Sequence, residues 1–411
     1  MNEAKSFSIA KELVMEAFQC VKVNKGSQGI DNVSLQQFEE KLEDNLYKLW
    51  NRMSSGCYFP KPYKMVMIPK SNGKLRQLSI PTVEDRIAQM VAKLTIEPTI
   101  DPIFHPDSYG YRPNKSAHQA LAMTRQRCWR YPWVIDLDIQ GFFDNLDHAL
   151  LMKAVKHHVK EKWVILYIER WIKTPIPNPD RTASPTVPTK GIAQGGVISP
   201  LLANLFLHIA LDSWLRKEFP NNPFERYADD VIVHTQTEEE AIRLLEEISK
   251  RLKKCNLTLN LEKTKIVYCK QAGRDKDYPH IQFDFLGYTF RPRGAKTKQG
   301  IMFLSFLPAI SHKAIQHIQE KVRSWKVRTR TLLPLTALAQ YWNPIVRGWI
   351  QYYGKFYASA LHKVKNILDR MLIKWVQTKY KSVRSSFKKA NRLIQLIRNQ
   401  NPILFVHWTI K

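Results

Sequence analysis

Four carboxylates in this chain lie where bare acids are unfavourable. Asp229 and Asp230 fall within Arg226-Tyr227-Ala228-Asp229-Asp230-Val231-Ile232-Val233-His234, between short runs of strand-forming residues. Asp136 and Asp138 interrupt a second run, Trp133-Val134-Ile135-Asp136-Leu137-Asp138-Ile139-Gln140-Gly141-Phe142-Phe143-Asp144. Two apart on a strand, Asp136 and Asp138 share one face. Acids in an apolar segment resist burial unless a cation compensates them. If the two segments are neighbouring strands, three or four carboxylates converge with no basic residue among them. Their repulsion raises their pKa values unless metal holds them together. Hard oxygen donors suit Mg²⁺, which is bound through one or two carboxylates plus substrate phosphates. Two such ions about 3.5–4 Å apart would clamp the attacking and leaving oxygens of an in-line displacement. Asp-Asp alone is also a common turn, so the pair acquires its meaning from the second segment.

Further blocks surround these acids. Asn24-Lys25-Gly26-Ser27-Gln28-Gly29-Ile30-Asp31, Ile68-Pro69-Lys70-Ser71-Asn72-Gly73-Lys74-Leu75-Arg76 and Ser108-Tyr109-Gly110-Tyr111-Arg112-Pro113 precede the Asp138 segment. Gln194-Gly195-Gly196-Val197-Ile198-Ser199-Pro200-Leu201-Leu202-Ala203-Asn204 follows it. After the Asp pair come Leu259-Asn260-Leu261-Glu262-Lys263-Thr264, Phe285-Leu286-Gly287-Tyr288 and Arg347-Gly348-Trp349-Ile350-Gln351-Tyr352-Tyr353. With Tyr227-Ala228-Asp229-Asp230, these blocks resemble, in order and spacing, those of group II intron-encoded reverse transcriptase/maturases. The resemblance implies an α/β fold: a right-hand polymerase with fingers and palm, followed by an α-helical thumb/maturase domain. It places an N-terminal extension and fingers in 1–130, the palm in 131–290 and the thumb/maturase (X) domain in 291–411. It also implies an RNA-directed DNA polymerase that binds group II intron RNA, assists its splicing and copies it at a DNA target.

The resemblance assigns roles residue by residue. Asp138 and Asp229 are the principal metal ligands and Asp230 a weaker one, holding two Mg²⁺ ions, with Mn²⁺ as a substitute. Asp138 is preferred to Asp136 because the family keeps an aromatic five residues after the ligand, and Phe143 has that offset. Its bulk would exclude a ribose 2′-hydroxyl, although one of two adjacent phenylalanines could equally be core. Lys70 and Arg76 would grip the triphosphate, Arg being suited to bidentate phosphate contact. Gln194 and Gly195 would approach nucleotide or template, Gly195 permitting a close backbone. The usual Thr-Pro before that Gln is Ile192-Ala193 here. Lys263 stands where related polymerases keep a lysine that can protonate pyrophosphate; a merely solvated strand-edge lysine is the plain alternative. Phe285, Leu286 and Gly287 resemble a primer-gripping turn.

These groups need a scaffold. Residues 8–24 and 35–49 read as helices. Residues 64–69 and 74–80 alternate like strands around Asn72-Gly73, a hairpin signal. Residues 83–96 and 199–219 read as helices, and 174–190, with five prolines, as a surface loop. Residues 237–254 form an amphipathic helix with acids at its start and bases at its end, matching the macrodipole. Strands are expected at 257–261, 265–268 and 283–290, and after Gly294 a purely helical period.

The chain has 411 residues and a formal net charge of +28, which calls for a polyanionic partner. The excess is concentrated: from Arg291 onward there are 24 Lys and Arg against two acids, Glu320 and Asp369. Aromatic rings interleaved there argue against a disordered basic tail, and helix core is favoured over base stacking for each. Arg347, Lys355, Lys363, Lys365, Lys374 and Arg384 are candidate RNA phosphate contacts. The expected partners are group II intron RNA, an RNA template with DNA primer, a DNA target and deoxynucleoside triphosphates, with no membrane. Five scattered cysteines make neither a zinc site nor a disulfide framework. Many group II proteins end in a Cys-rich His-Asn-His nuclease, which is not expected here. The N-terminus, with Glu3, Glu12 and Glu16, matches neither signal nor transit peptide, so a cytoplasmic, bacterial setting is expected. Two alternatives stand beside this reading: a host-adopted relative in DNA repair or phage defence, and a maturase acting mainly as an RNA-binding scaffold.

Overall fold

The computed structural model describes residues 7–69, 75–175, 187–297 and 299–410. The expected hairpin tip at Asn72-Gly73, the site candidate Lys70 and most of the proline-rich loop lie outside them. Proximity along the backbone divides the chain into two interleaved compact units. One comprises Met1–Ser116, Asp136–Val233 and Glu239–Thr264; the other comprises Ala117–Ile135, His234–Glu238 and Lys265–Lys411.

The chain opens with helix α1 (Lys11–Val23), whose buried stripe Val14, Ala17, Phe18 and Val21 has helical spacing. The single helix expected over 35–49 is two: α2 (Leu35–Glu39), closed by a Ser34–Gln37 capping box, and α3 (Leu42–Ser54). Strands β1 (Lys64–Pro69) and β2 (Leu75–Ile80) pair antiparallel, as the alternation predicts. Helix α4 (Val83–Ile100) is capped by Thr82, which accepts from the Asp85 backbone. Its interior buries Asp85, Arg86 and Gln89 as well as apolar residues. Tyr58 donates to Asp85 at 2.5 Å, and Thr82 donates to it at 2.7 Å, so the buried carboxyl has partners.

Helix α5 (Ala117–Arg130) leads to β3 (Trp133–Leu137), followed by the short α6 (Phe142–Asn145), α7 (His148–His158) and α8 (Lys162–Ile172). Helix α9 (Ser199–Leu207) passes through a π-helical turn at His208–Asp212 into α10 (Ser213–Glu218). Strands β4 (Phe224–Tyr227) and β5 (Asp230–Thr235) form the predicted hairpin, and α11 (Glu238–Lys254) buries Ala241, Leu244, Ile248 and Leu252. With β6 (Lys265–Tyr268) the strands make a sheet in the order β4-β5-β3-β6, so β3 does lie beside the Asp-pair hairpin. The strand expected at 257–261 is reduced to one bridge, Ile139 to Leu259.

The second unit corrects the expectation of helix alone after Gly294. Strands β7 (Phe283–Phe285), β8 (Tyr288–Lys296) and β9 (Met302–Ile310) form an antiparallel sheet in that order. Met302 to Ile310 is a short apolar run, which periodicity cannot assign to helix or strand. Pro308 lies on the edge strand, where a missing donor is tolerated. Helices begin at Ser311, which caps α12 (His312–Ser324), and continue with α13 (Leu335–Tyr353), α14 (His362–Lys379) and α15 (Phe387–Gln400). Their core includes Trp325, Trp342, Val364, Leu368, Trp375 and Phe405, so most of the interleaved rings are structural. Tyr341, 49% exposed, is an exception. All five cysteines are free thiols. Among the described residues no helix is long and apolar enough to cross a membrane.

Candidate active site

Antiparallel register pairs Tyr227 with Asp230, leaving Ala228 and Asp229 as the two-residue tip between β4 and β5. Ala228 has φ +58°, in the left-handed region. That conformation costs a side-chain-bearing residue about 1–2 kcal/mol, so its surroundings must enforce it.

Arg226 provides the enforcement. Its side chain and that of Asp212 are fully buried, and its Nε and Nη2 donate to the two Asp212 carboxylate oxygens at 2.7 and 2.6 Å. Its Nη1 donates to Asn204 Oδ1 at 2.8 Å and to the Ala228 carbonyl at 3.1 Å. Asn204 Nδ2 in turn donates to the Gly110 carbonyl at 2.7 Å. A Cβ on Gly110 would lie 2.4 Å from the Ala228 nitrogen, so only glycine permits that approach. The network therefore fixes the turn from beneath. Sequence reasoning missed Arg226, Asp212, Asn204 and Gly110 as positioning residues. The available signal was an Asn and an Asp within the apolar stretch that makes α9 and its π turn.

Asp138 follows β3 directly. Its carbonyl accepts from Asn260 N at 2.8 Å and its own N–H donates to Thr264 Oγ1 at 3.3 Å, which anchors it to the 259–264 segment. Lys263 Nζ donates to both Asp138 carboxylate oxygens at 3.1 Å. Burial raises the Asp229 carboxyl pKa, the Asp138 charge adds to this, and Arg76 and Lys263 oppose it. Asp230 is raised to about 6 by the protein crowded around it, then by Asp229 and Asp138. The Asp138 charge thus acts on both Asp229 and Asp230, but the expectation of no basic residue among these acids is corrected by Lys263, whose ammonium group pairs with Asp138. Asp136, half-buried on the same face, has its own interactions.

Whether these residues suit a divalent ion is a question of donor chemistry. All three offer hard carboxylate oxygens, and two have charged forms disfavoured by their surroundings. A hard divalent cation would relieve both conditions. Among the described residues, however, no group of three His, Cys, Asp or Glu side chains stands preassembled around an ion position. Lys263 stands as the cation of Asp138. The donor set fits a divalent ion, with Lys263 as its competitor.

The nucleotide candidates assemble beside this cluster. Arg76 Nε donates to Gln194 Oε1 at 2.7 Å, and Gln194 Nε2 donates to Asp144 Oδ1 at 3.0 Å. The Gln194 carbonyl accepts from Ser79 N at 2.8 Å. Gly195 has φ +125°, and a Cβ there would lie 2.6 Å from the Ser79 carbonyl, so this contact demands glycine. Gln89 of α4, which sequence reasoning did not single out, holds the loop by accepting from Val197 N at 2.7 Å. Phe142 is buried, whereas Phe143 is half-buried, so the core claims the first ring of the pair.

In the second unit, Leu286 and Gly287 form the β7–β8 turn, with φ +50° and +77°. Tyr352 Oη donates to the Leu286 carbonyl at 2.9 Å, and Tyr288 Oη donates to the Tyr352 carbonyl, so the turn is braced by α13. Arg347, Lys355, Lys363, Lys374 and Arg384 are exposed. Lys365 instead donates to the Ile410 carbonyl at 2.8 Å, a structural use of its charge.

The family described as reverse transcriptase (RNA-dependent DNA polymerase) matches residues 68–290. The chain belongs to the reverse transcriptase family. The group II intron, maturase-specific domain matches residues 315–404. The chain is 31% identical over 367 residues to Protein YkfC of Escherichia coli (strain K12), covering 78% of this chain and 88% of that one. It is 25% identical over 468 residues to the group II intron-encoded protein LtrA of Lactococcus lactis subsp. cremoris, covering 92% and 75% respectively. A solved telomerase of Candida albicans in complex with a fragment of telomeric RNA matches over 92% of this chain and 69% of that chain, with a TM-score of 0.46 and 11% identity. This reverse transcriptase is accordingly an RNA-directed DNA polymerase of the group II intron-encoded type, carrying a maturase domain. Its family generally uses divalent metal ions.

Proposed function

We propose that the chain binds its own group II intron RNA, assists its splicing and copies it into DNA at a target site, using two Mg²⁺ ions held by Asp138, Asp229 and Asp230. An N-terminal extension with the fingers would occupy 1–130, the palm 131–290 and the thumb/maturase (X) domain 291–411. The observation that supports the reading is geometric: Asp229 and Asp230 sit on a network-braced turn, and Asp138 follows the strand beside it, where its charge acts on both. In the reaction the primer 3′-hydroxyl loses its proton to solvent, its oxygen bonds to the α-phosphorus of a deoxynucleoside triphosphate, and the α–β bridging bond breaks to release pyrophosphate. When bound, divalent ions neutralise the charge on the attacking and leaving oxygens. Arg76, locked by Gln194, presents its guanidinium to the triphosphate, and Lys263 Nζ holds a proton for the departing pyrophosphate. The Leu286-Gly287 turn supports the primer end.

Phe143 packs under the incoming sugar. Phe143→Ala should therefore raise ribonucleotide incorporation relative to deoxynucleotide by roughly tenfold, a loss of about 1.4 kcal/mol in discrimination. Competitive incorporation assays with both sugars check this; unchanged selectivity would remove the gate.

The partner is tested by purifying the protein at moderate salt and sequencing the RNA that accompanies it. One dominant structured intron RNA, released only at high salt through loss of phosphate contacts, is the expected result. Heterogeneous RNA, or none, with primer extension intact would favour a host-adopted polymerase.

A further inference from the structure

Charge in the second unit is not spread evenly over its surface. Helices α12 and α14 pack together, and with the turn after α12 they enclose a cleft of about 540 Å³. That lies within the roughly 300–1,000 Å³ of small-ligand sites. Arg323, Lys326, Arg328, Arg370 and Lys374 line it, and no acidic residue does. Among the described residues, none of these five cations has an ion-pair or side-chain hydrogen-bond partner. Of the five, only Lys374 is a candidate contact on sequence grounds. Convergence from two helices and a turn, at positions nearly fifty residues apart, is invisible to charge counting.

The floor differs from the rim. Val322 and Val327 are buried in the helical core, and Ile367 and Met371 pack against it. The turn that brings Lys326 to the rim holds that residue at φ +47°, which glycine would adopt freely. A cationic side chain thus stands where the backbone would favour none. Five unneutralised cations around an apolar floor match a ligand with a flat apolar face flanked by anions. A base-paired strand keeps its base faces stacked away from such a floor, whereas an unpaired nucleotide exposes one.

We infer that this cleft seats an unpaired nucleotide of an RNA strand, base on the apolar floor and flanking phosphates on the cationic rim. The inference rests on the reading that the basic C-terminal unit binds RNA. The test compares the full-length protein with an Arg328→Gln/Arg370→Gln variant, both positions being exposed. Fluorescence anisotropy with a labelled twelve-nucleotide oligouridine, and with a duplex RNA of the same length, is measured across a salt series. Losing two phosphate contacts should lower the slope of log affinity against log salt by about 1.4 and weaken single-strand binding roughly tenfold or more. Duplex binding should change less than about threefold, and extension of a preannealed template–primer should not change. An unchanged slope, an equal loss for duplex, or a parallel loss of extension would overturn the inference while leaving the RNA-binding reading in place. Failure of the unsubstituted protein to bind either RNA at moderate salt would sink that reading instead.

Discussion

Replacing Asp229 and Asp230 together by asparagine should lower primer extension on an RNA template by about 10³-fold or more, with RNA binding largely intact. Divalent-ion stabilisation of a transferring phosphoryl group is worth several kcal/mol, and each 1.4 kcal/mol is about tenfold in rate. Asparagine keeps the shape of aspartate but surrenders the charge that would hold the ion. A second readout separates this from misfolding. Both carboxyls are raised above the ordinary carboxylate range, so the folded state favours their protonated forms. A group with a raised folded pKa contributes stability that is present at low pH and lost as pH rises through that value. For Asp230 this loss spans the interval from the ordinary value near 4 to about 6. In the absence of divalent ions the asparagine variant should therefore melt at the same temperature as the parent, or higher, at pH 7, and the difference should shrink toward pH 5. A variant that still extends primers would place the metal site elsewhere. A variant that melts lower at pH 7 would show that the carboxylates are satisfied without an ion.

The contrast between what could be read from the chain and what could not follows from the range of each signal. The Asp-pair hairpin, the β1–β2 pair and α11 were legible because strand alternation, turn residues and terminal charges are local. The coupling of Asp138 to Asp229 was legible because two acid-interrupted strands leave few other arrangements. The β9 strand was not legible, since its run of apolar residues has no distinguishing period and only the Ser311 cap marks where helix begins. The division of labour between Phe142 and Phe143 was likewise undetermined until burial assigned the first to the core. Lys365 shows the weakness of reading charge alone, because its ammonium group serves the chain end and not a surface contact. The support of the Ala228 turn depends on partners 14, 22 and 116 positions before or around Arg226 meeting in space, as Asp212, Asn204 and Gly110 do. No pattern of period or composition encodes such a meeting.

That support yields the second large effect. Arg226→Met removes the cation from a fully buried pair and leaves Asp212 without its two-point guanidinium partner, with only His208 Nδ1 nearby at 4.0 Å. Breaking such a pair costs about 3–5 kcal/mol, or roughly 6–20 °C in melting temperature for a unit of this size. Thermal or urea unfolding would register it. Stability loss alone would leave Arg226 a structural residue, so the informative variant is Arg226→Met combined with Asp212→Leu. Replacing a buried pair by apolar groups of similar volume is often neutral or stabilising, and the double variant should recover most of the lost stability. It cannot restore the donor to the Ala228 carbonyl, nor the bond to Asn204. Without them the left-handed Ala228 loses its restraint, and Asp229 is free to shift. A displacement of about 1 Å at a reacting centre costs on the order of 10²-fold in rate. The double variant should therefore fold well and extend primers about 100-fold more slowly, with the loss in kcat and little change in KM for deoxynucleotide. Recovery of stability and rate together would show that burying the charge pair is the whole of Arg226's contribution, and that the turn holds Asp229 without it.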